Sequence, residues 1–185
     1  MADLCSAPGG KTVELSRAAK FVVASDSSVA RLARLRETIA RLELANVGTM
    51  AADARTPALR TLDAVLVDVP CTGTGTFRRH PDARWRLSPS AIAIMVAAQR
   101  SILRSAATVV RPGGLLVYST CSLEPEENDA QVETFLGEHP GWTLEPPPPG
   151  AVPGGVLDAG RLRVLPQLHG TDGAFAARLR RRQGA

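Results

Sequence analysis

Short apolar runs alternate with helix-patterned segments along the whole chain, and this alternation restricts the fold more than any other feature. The run Ala64-Val65-Leu66-Val67 is apolar throughout, as expected of a strand covered on both faces. Strands that alternate with helices build a mostly parallel sheet in an α/β fold. Further strands are predicted at Met1–Leu4, Phe21–Ala24, Val47–Ala52, Leu115–Tyr118 and Trp142–Leu144. Phe175, Ala177 and Leu179 alternate with Ala176, Arg178 and Arg180, which reads as a half-exposed last strand after an Asp172-Gly173 turn. Helices are predicted near Val13–Ala19 and from a Ser27 or Ser28 cap through Val29, Leu32, Leu35, Ile39 and Leu42. Two more run from Ser88-Pro89 to about Val110, stopped by Pro112-Gly113-Gly114, and from Pro125 to Glu138. Glu145–Gly155 is proline-rich and reads as loop. With no internal repeat, residues 1–185 are expected to form a single domain.

Five polar signals share one position, just past the carboxyl end of an apolar run: Cys5–Lys11, Asp26, Asp53, Asp68 with Cys71, and Cys121. In an open α/β sheet those ends form one rim, where ligands bind. The glycine turn matches neither the phosphate-loop nor the dinucleotide fingerprint, because Cys5 stands where a first glycine would be needed. Two glycines would still let a ligand approach the backbone. Asp26 lies 17 residues beyond Gly9, about where an acid accepts hydrogen bonds from a ribose. The same spacing fits a plain tight turn with a surface acid.

The chain has three cysteines and no Cys-x-x-Cys pair, and His80, His139 and His169 are scattered, so no metal is expected. No apolar run approaches the ~18 residues of a membrane span, and no secretory signal opens the chain. Reduced thiols in a cytoplasmic monomer follow as the expectation. A lone cysteine beside an apolar run is usually inert packing. Two thiols on one rim beside a nucleoside site also suit covalent catalysis, since a thiolate is a strong nucleophile. The net charge of +4 gives a mild bias toward polyanions. Arginines gather at Arg78, Arg79, Arg84 and Arg86 around Trp85, and again at Arg178, Arg180, Arg181 and Arg182. The first cluster has the composition that grips single strands, and equally that of a solvated basic loop.

Together "DLCSAPGGKT", "DVPCTGTGTFRRHPDARWR", "STCSLEPEEN" and "HGTDGAFAARL" resemble the Sun/Nop/Fmu (RsmB-like) family of RNA cytosine-5 methyltransferases, in motif order over nearly the whole chain. The resemblance implies a Rossmann-like class I methyltransferase domain that uses S-adenosylmethionine and acts on RNA, ribosomal RNA being the expected partner. It implies that Cys5, Ser6, Ala7, Pro8, Gly9, Gly10 and Lys11 wrap the cofactor, that Asp26 holds its ribose, and that Asp53 lies by the adenine. Asp68 would sit between cofactor and target base, Cys121 would be the nucleophile, and Cys71 would help resolve the covalent intermediate. Such chemistry calls for two thiols: one adds to carbon 6 so that carbon 5 can attack the methyl group, and a second group assists release. The resemblance also implies a complete first strand and an upstream RNA-binding region, whereas Met1 stands four residues before Cys5. A truncated first strand, marginal stability and weak activity are therefore expected, and a nonenzymatic RNA-binding remnant is the competing expectation. An NAD-dependent dehydrogenase is disfavoured by the missing glycine fingerprint.

Overall fold

The computed structural model describes residues 1–184, except for the side chain of Arg86; that member of the arginine cluster and Ala185 lie outside the described residues. A single sheet runs through the described residues in the order β3-β2-β1-β4-β5-β9-β8-β7. Its parallel half consists of β1 (Ala2–Asp3), β2 (Val22–Asp26), β3 (Val47–Ala51), β4 (Leu62–Asp68) and β5 (Val110–Thr120). Between them run helices α1 (Gly10–Ala18), α2 (Val29–Arg41) and α3 (Pro89–Thr108), and α4 (Asp129–Glu138) follows β5. The short β1 lies between β2 and β4, pairing Ala2 with Val23 and Val65, and Asp3 with Ala24 and Leu66. Strand order reverses there, so the switch point of the sheet falls at the turn leaving β1.

Local chemistry explains the helix boundaries. Ser28 Oγ accepts from the Arg31 N–H at 3.2 Å, and Ser88 Oγ accepts from the Ala91 N–H at 3.1 Å, with Pro89 at the first helical position. Val65, Val67, Leu116, Tyr118, Leu103, Ala106, Phe135 and Leu179 fill the main core, and Leu32 and Leu35 of α2 pack with Ala24 on β2. Tyr118 stands edge-on to Phe175, with ring centroids 6.4 Å apart.

One expectation is corrected. Pro112-Gly113-Gly114 does not separate α3 from a strand starting at Leu115; α3 ends at Thr108, and these residues lie inside β5. The register shifts opposite Leu62 and Ala64, and Gly113 has φ +72°, so the segment is a bulge where proline needs no ladder donor. After the proline-rich loop, in a region where the sequence predicts no element, β7 (Leu157–Asp158) and β8 (Arg161–Val164) form a hairpin on the edge of the sheet. Ala159 and Gly160 both take positive φ, as a tight two-residue turn requires. Helix α5 (Pro166–His169) then leads into the antiparallel β9 (Ala174–Arg181), which also pairs with β6 (Trp142–Leu144).

The second arginine cluster is structural in large part. Arg178 and Arg180 both donate to Glu145, at 2.5 and 2.6 Å, and hold its carboxyl down to about 2, Arg180 most strongly. Among the described residues no helix is long and apolar enough to cross a membrane.

Candidate active site

Every candidate residue lies on the carboxyl rim of the parallel strands. One cavity of about 380 Å³ is lined by Cys5, Ala7, Pro8, Asp26, Asp53, Asp68, Cys71 and Cys121. A smaller one of about 290 Å³ shares Cys5, Ala7, Pro8 and Asp68, and adds Asp3, Ser6, Gly9, Gly10 and Lys11. The sheet thus brings together residues that are far apart in the chain.

The turn after β1 is tied down residue by residue. The Ser6 N–H donates to Ser25 O at 2.9 Å, and the Ala7 N–H donates to Asp26 Oδ2 at 3.2 Å. The guanidinium of Arg31 donates to Ala7 O. Gly9 takes φ +116°, a conformation that favours glycine, and a Cβ there would press on the buried Leu35 side chain. Asp26 is buried at the end of β2, and its other oxygen accepts from the Ser28 N–H at 2.9 Å. It supports the turn as well as lining the cavity. Asp53 is gripped by Arg55, whose Nη2 lies 2.6 Å from Oδ2, and this hydrogen bond lowers its carboxyl below the ordinary range. Asp68 joins the two cavities: Lys11 Nζ donates to Oδ2 at 2.6 Å, and Ser119 Oγ donates to Oδ1 at 2.7 Å.

Asp3 is a rim residue that strand-end reasoning missed, because it lies inside the first apolar stub. It is buried, Thr12 Oγ1 donates to its Oδ2 at 2.7 Å, and its Oδ1 has no hydrogen-bond partner. Burial raises its carboxyl to about 6, with Asp68 adding to the rise against the Thr12 hydrogen bond. A buried oxygen without a partner, beside a small cavity, calls for a donor or a cation.

The two strand exits deliver their thiols to the same point. Cys71 Sγ and Cys121 Sγ are 3.3 Å apart. Cys121, the exposed one, is lowered to about 7 chiefly by the hydrogen bond from Cys71. Lys11 also favours the thiolate, while burial and Asp68 oppose it. The thiol of Cys71 is pushed up by the same contact and by burial, so it keeps its proton. Cys5 is pushed up to about 12 by burial and by Asp3, Asp26 and Asp68, which leaves an inert thiol.

Behind the thiols, the Gly75 N–H donates to Cys121 O at 2.9 Å, and the Gly173 N–H donates to Gly75 O at 2.8 Å. A Cβ on Gly75 would lie 2.7 Å from Cys121 O, so the loop after Cys71 seats directly on the other thiol's backbone. The 71–87 loop contains two 3-10 turns, Thr74–Thr76 and Pro81–Arg86. Its Arg79 pairs with Asp172, its Arg84 Nε donates to Pro81 O at 2.8 Å, and Trp85 is 84% exposed. Glu127, which follows Cys121 by six residues, is fully buried instead of facing solvent beside it.

A parallel sheet in the order 3-2-1-4-5, an antiparallel strand inserted after β5 and a polar rim at the switch point define a Rossmann-like methyltransferase fold. The chain belongs to the 16S rRNA methyltransferase RsmB/F family, whose model matches residues 1–180. It is 41% identical over 190 residues to the ribosomal RNA small subunit methyltransferase B of Pasteurella multocida, covering 97% of this chain and 42% of that protein. The crystal structure of NSun6 from Pyrococcus horikoshii with SFG, an S-adenosylmethionine analogue, superposes with a TM-score of 0.86 at 34% identity, covering 97% of this chain and 47% of that one. A methyltransferase homologue from the same organism gives a TM-score of 0.79 at 31% identity, covering 97% and 60%. The chain spans about two-fifths of the length of the curated relatives it matches.

Proposed function

We propose that this chain is the catalytic domain of an S-adenosylmethionine-dependent enzyme that methylates carbon 5 of cytosine in RNA, with small-subunit ribosomal RNA as substrate. The observation that carries the reading is the contact of Cys71 and Cys121 at the mouth of a carboxylate-lined cavity.

The residues present fit the cofactor. Asp26 offers a ribose its carboxylate, and the Cys5–Lys11 turn lines the adjoining cavity. The partnerless Oδ1 of Asp3 suits a ligand ammonium, and Asp53 also lines the larger cavity. When bound, the cofactor supplies an electrophilic methyl group. Membership of an rRNA methyltransferase family and the analogue-bound neighbour support the same assignment.

The chain's own residues divide the remaining work. Cys121, substantially thiolate at neutral pH, adds to carbon 6 of the base, and carbon 5 gains the electron density to attack the methyl group. Asp68, held by Lys11 and Ser119, faces the space between cofactor and base. Cys71 at first keeps its proton because the Cys121 thiolate stands against it. Once the sulfur of Cys121 is bonded to carbon, that charge is gone and the largest cause of Cys71's raised value goes with it. Cys71 can then lose its proton to solvent and, as thiolate, take the proton from carbon 5; the electrons of that carbon–hydrogen bond reform the double bond as Cys121 leaves carbon 6 as thiolate. One thiol adds and the other releases.

The target base must leave its stack to reach the thiols. The exposed Trp85, with Arg78 and Arg84 nearby in the same loop, supplies stacking and phosphate contact. The test is transfer of a labelled methyl group to small-subunit rRNA followed by nucleoside analysis. Label in 5-methylcytidine is expected; RNA binding without cofactor binding or transfer would identify a nonenzymatic binder instead.

A further inference from the structure

Cys71 and Cys121 lie on separate loops, and the sheet alone does not bring their sulfurs together. The ladder between β4 and β5 ends with Asp68 opposite Ser119 and the Val69 N–H donating to Ser119 O at 3.0 Å. Beyond that point each loop needs another tie.

Glu127 supplies it. The side chain is fully buried, and no ion pair to it exists among the described residues. Four donors meet its two oxygens. The Thr72 N–H and Gln99 Nε2 donate to Oε1 at 2.9 and 2.8 Å, while the hydroxyls of Thr72 and Ser122 donate to Oε2. Thr72 follows Cys71, and Ser122 follows Cys121. Gln99 also donates to the carbonyl of Pro70, which precedes Cys71, at 2.9 Å. Asn128, the neighbour of Glu127, accepts from Thr120 Oγ1 at 2.6 Å and donates to Ser122 O at 2.9 Å, so both neighbours of Cys121 are held as well. The Tyr118 hydroxyl donates to Glu127 O at 2.6 Å and anchors the whole group to β5.

We propose that Glu127 is the positioning residue of this site: its carboxylate clamps the two cysteine loops to one point and so keeps the sulfurs in contact. The proposal deepens the two-thiol reading above and rests on it for its catalytic meaning. An ionised carboxylate only accepts, and its oxygens can take four donors at once. Shortening the side chain to alanine would leave those donors facing a void and loosen both loops at the thiols, with the bonds farther along, from the Gly75 N–H to Cys121 O and from the Leu123 N–H to Thr74 Oγ1, still joining them.

The test needs neither RNA nor cofactor. The reduced chain is titrated with phenylarsine oxide, which bridges two thiols only when they lie close together; each thiol yields its proton to the arsenical oxygen, which leaves as water as two As–S bonds form. The wild-type chain is expected to capture the reagent, and Cys71→Ala and Cys121→Ala are expected to lose the bridge. Glu127→Ala should capture it about 10-fold more weakly, the scale of one lost hydrogen bond of ordering. Thr72→Val, which removes one clamping hydroxyl at constant shape, should lose about 3-fold on the same scale. Glu127→Gln can keep the shape with the two hydroxyls turned to accept, and should stay near wild type. Thiol reactivity of Cys121 against pH gives a second readout: its midpoint should move upward in Glu127→Ala, because Cys71 no longer donates. A folded Glu127→Ala with wild-type capture and midpoint overturns the proposal; if that variant does not melt cooperatively, wild-type capture by Thr72→Val overturns it instead. Capture by the wild-type chain without any methyl transfer would sink the methyltransferase reading and leave the clamp standing.

Discussion

Replacing Cys71 by alanine tests the electrostatics of the thiol pair. The thiol of Cys71 is the largest cause of the lowered value of Cys121, about 7 against an ordinary 9.0. Without it, burial and Asp68 are opposed by Lys11 and a backbone hydrogen bond, the two smallest causes, so Cys121 should return to about 9. At pH 7 the wild-type sulfur is about half thiolate and the variant about 1%, a loss of ~50-fold. A sulfur of higher pKa is also the better nucleophile, by ~8-fold for this difference with a Brønsted coefficient of about 0.4–0.5. The two effects leave the variant ~6-fold slower at pH 7 and ~7-fold faster at pH 10, with the curves crossing near pH ~8. The assay is the initial rate of thiol release from a small aromatic disulfide between pH 5 and 10. Cys5, pushed up to about 12, should contribute nothing over most of that range. A midpoint near 7 in Cys71→Ala would refute the idea that the second thiol activates the first.

Asp26→Ala should weaken S-adenosylmethionine binding roughly 10- to 100-fold, because a hydrogen bond to a charged group contributes about 1.5–3 kcal/mol; unchanged affinity by calorimetry would remove Asp26 from the site. Asp3→Asn should stabilise the chain at pH 7 by up to about 3 kcal/mol while weakening cofactor binding, since burial raises the Asp3 carboxyl from 3.8 to about 6. With the folded value above the unfolded one, wild-type stability is greatest below the lower value and falls as pH rises to the upper, so the gain should vanish near pH ~4; an equal gain by urea denaturation at pH 4 and pH 7 would contradict it. If Arg78 and Arg84 contact phosphates, each alanine substitution should flatten the log–log salt slope of single-stranded RNA binding by roughly 0.7. Parental slopes in filter binding would make the loop a solvated surface.

Much of this site could be read from the chain because strand ends are written in apolar runs. The run Ala64–Val67 followed by Asp68 and Cys71, and the run through Tyr118 followed by Cys121, place both thiols on one rim from the sequence alone. Which thiol adds is not legible from spacing, and it becomes arguable only from the contact of the two sulfurs, which lowers Cys121 and raises the more buried Cys71. Glu127 carries no sequence signal of its own, since it stands among Glu124, Glu126 and Asp129, and burial of one acid within such a segment has no periodic signature. Its distance in sequence from Thr72 and Gln99 hid the clamp. Asp3 was hidden by the brevity of β1, and the Pro112-Gly113-Gly114 bulge by residues that more often end an element. The β7–β8 hairpin follows a proline-rich stretch, and its pattern is too short to show alternation.

Trapping the covalent intermediate tests the central claim most directly. RNA carrying 5-fluorocytosine cannot lose a proton from carbon 5, so release is blocked after methyl transfer. The chain is incubated with this RNA and S-adenosylmethionine, digested, and its cysteine peptides are read by mass spectrometry. The account predicts a methylated nucleotide on the peptide carrying Cys121, its retention in Cys71→Ala, and its loss in Cys121→Ala. A nucleotide on Cys71, or an adduct that persists in Cys121→Ala, would contradict it.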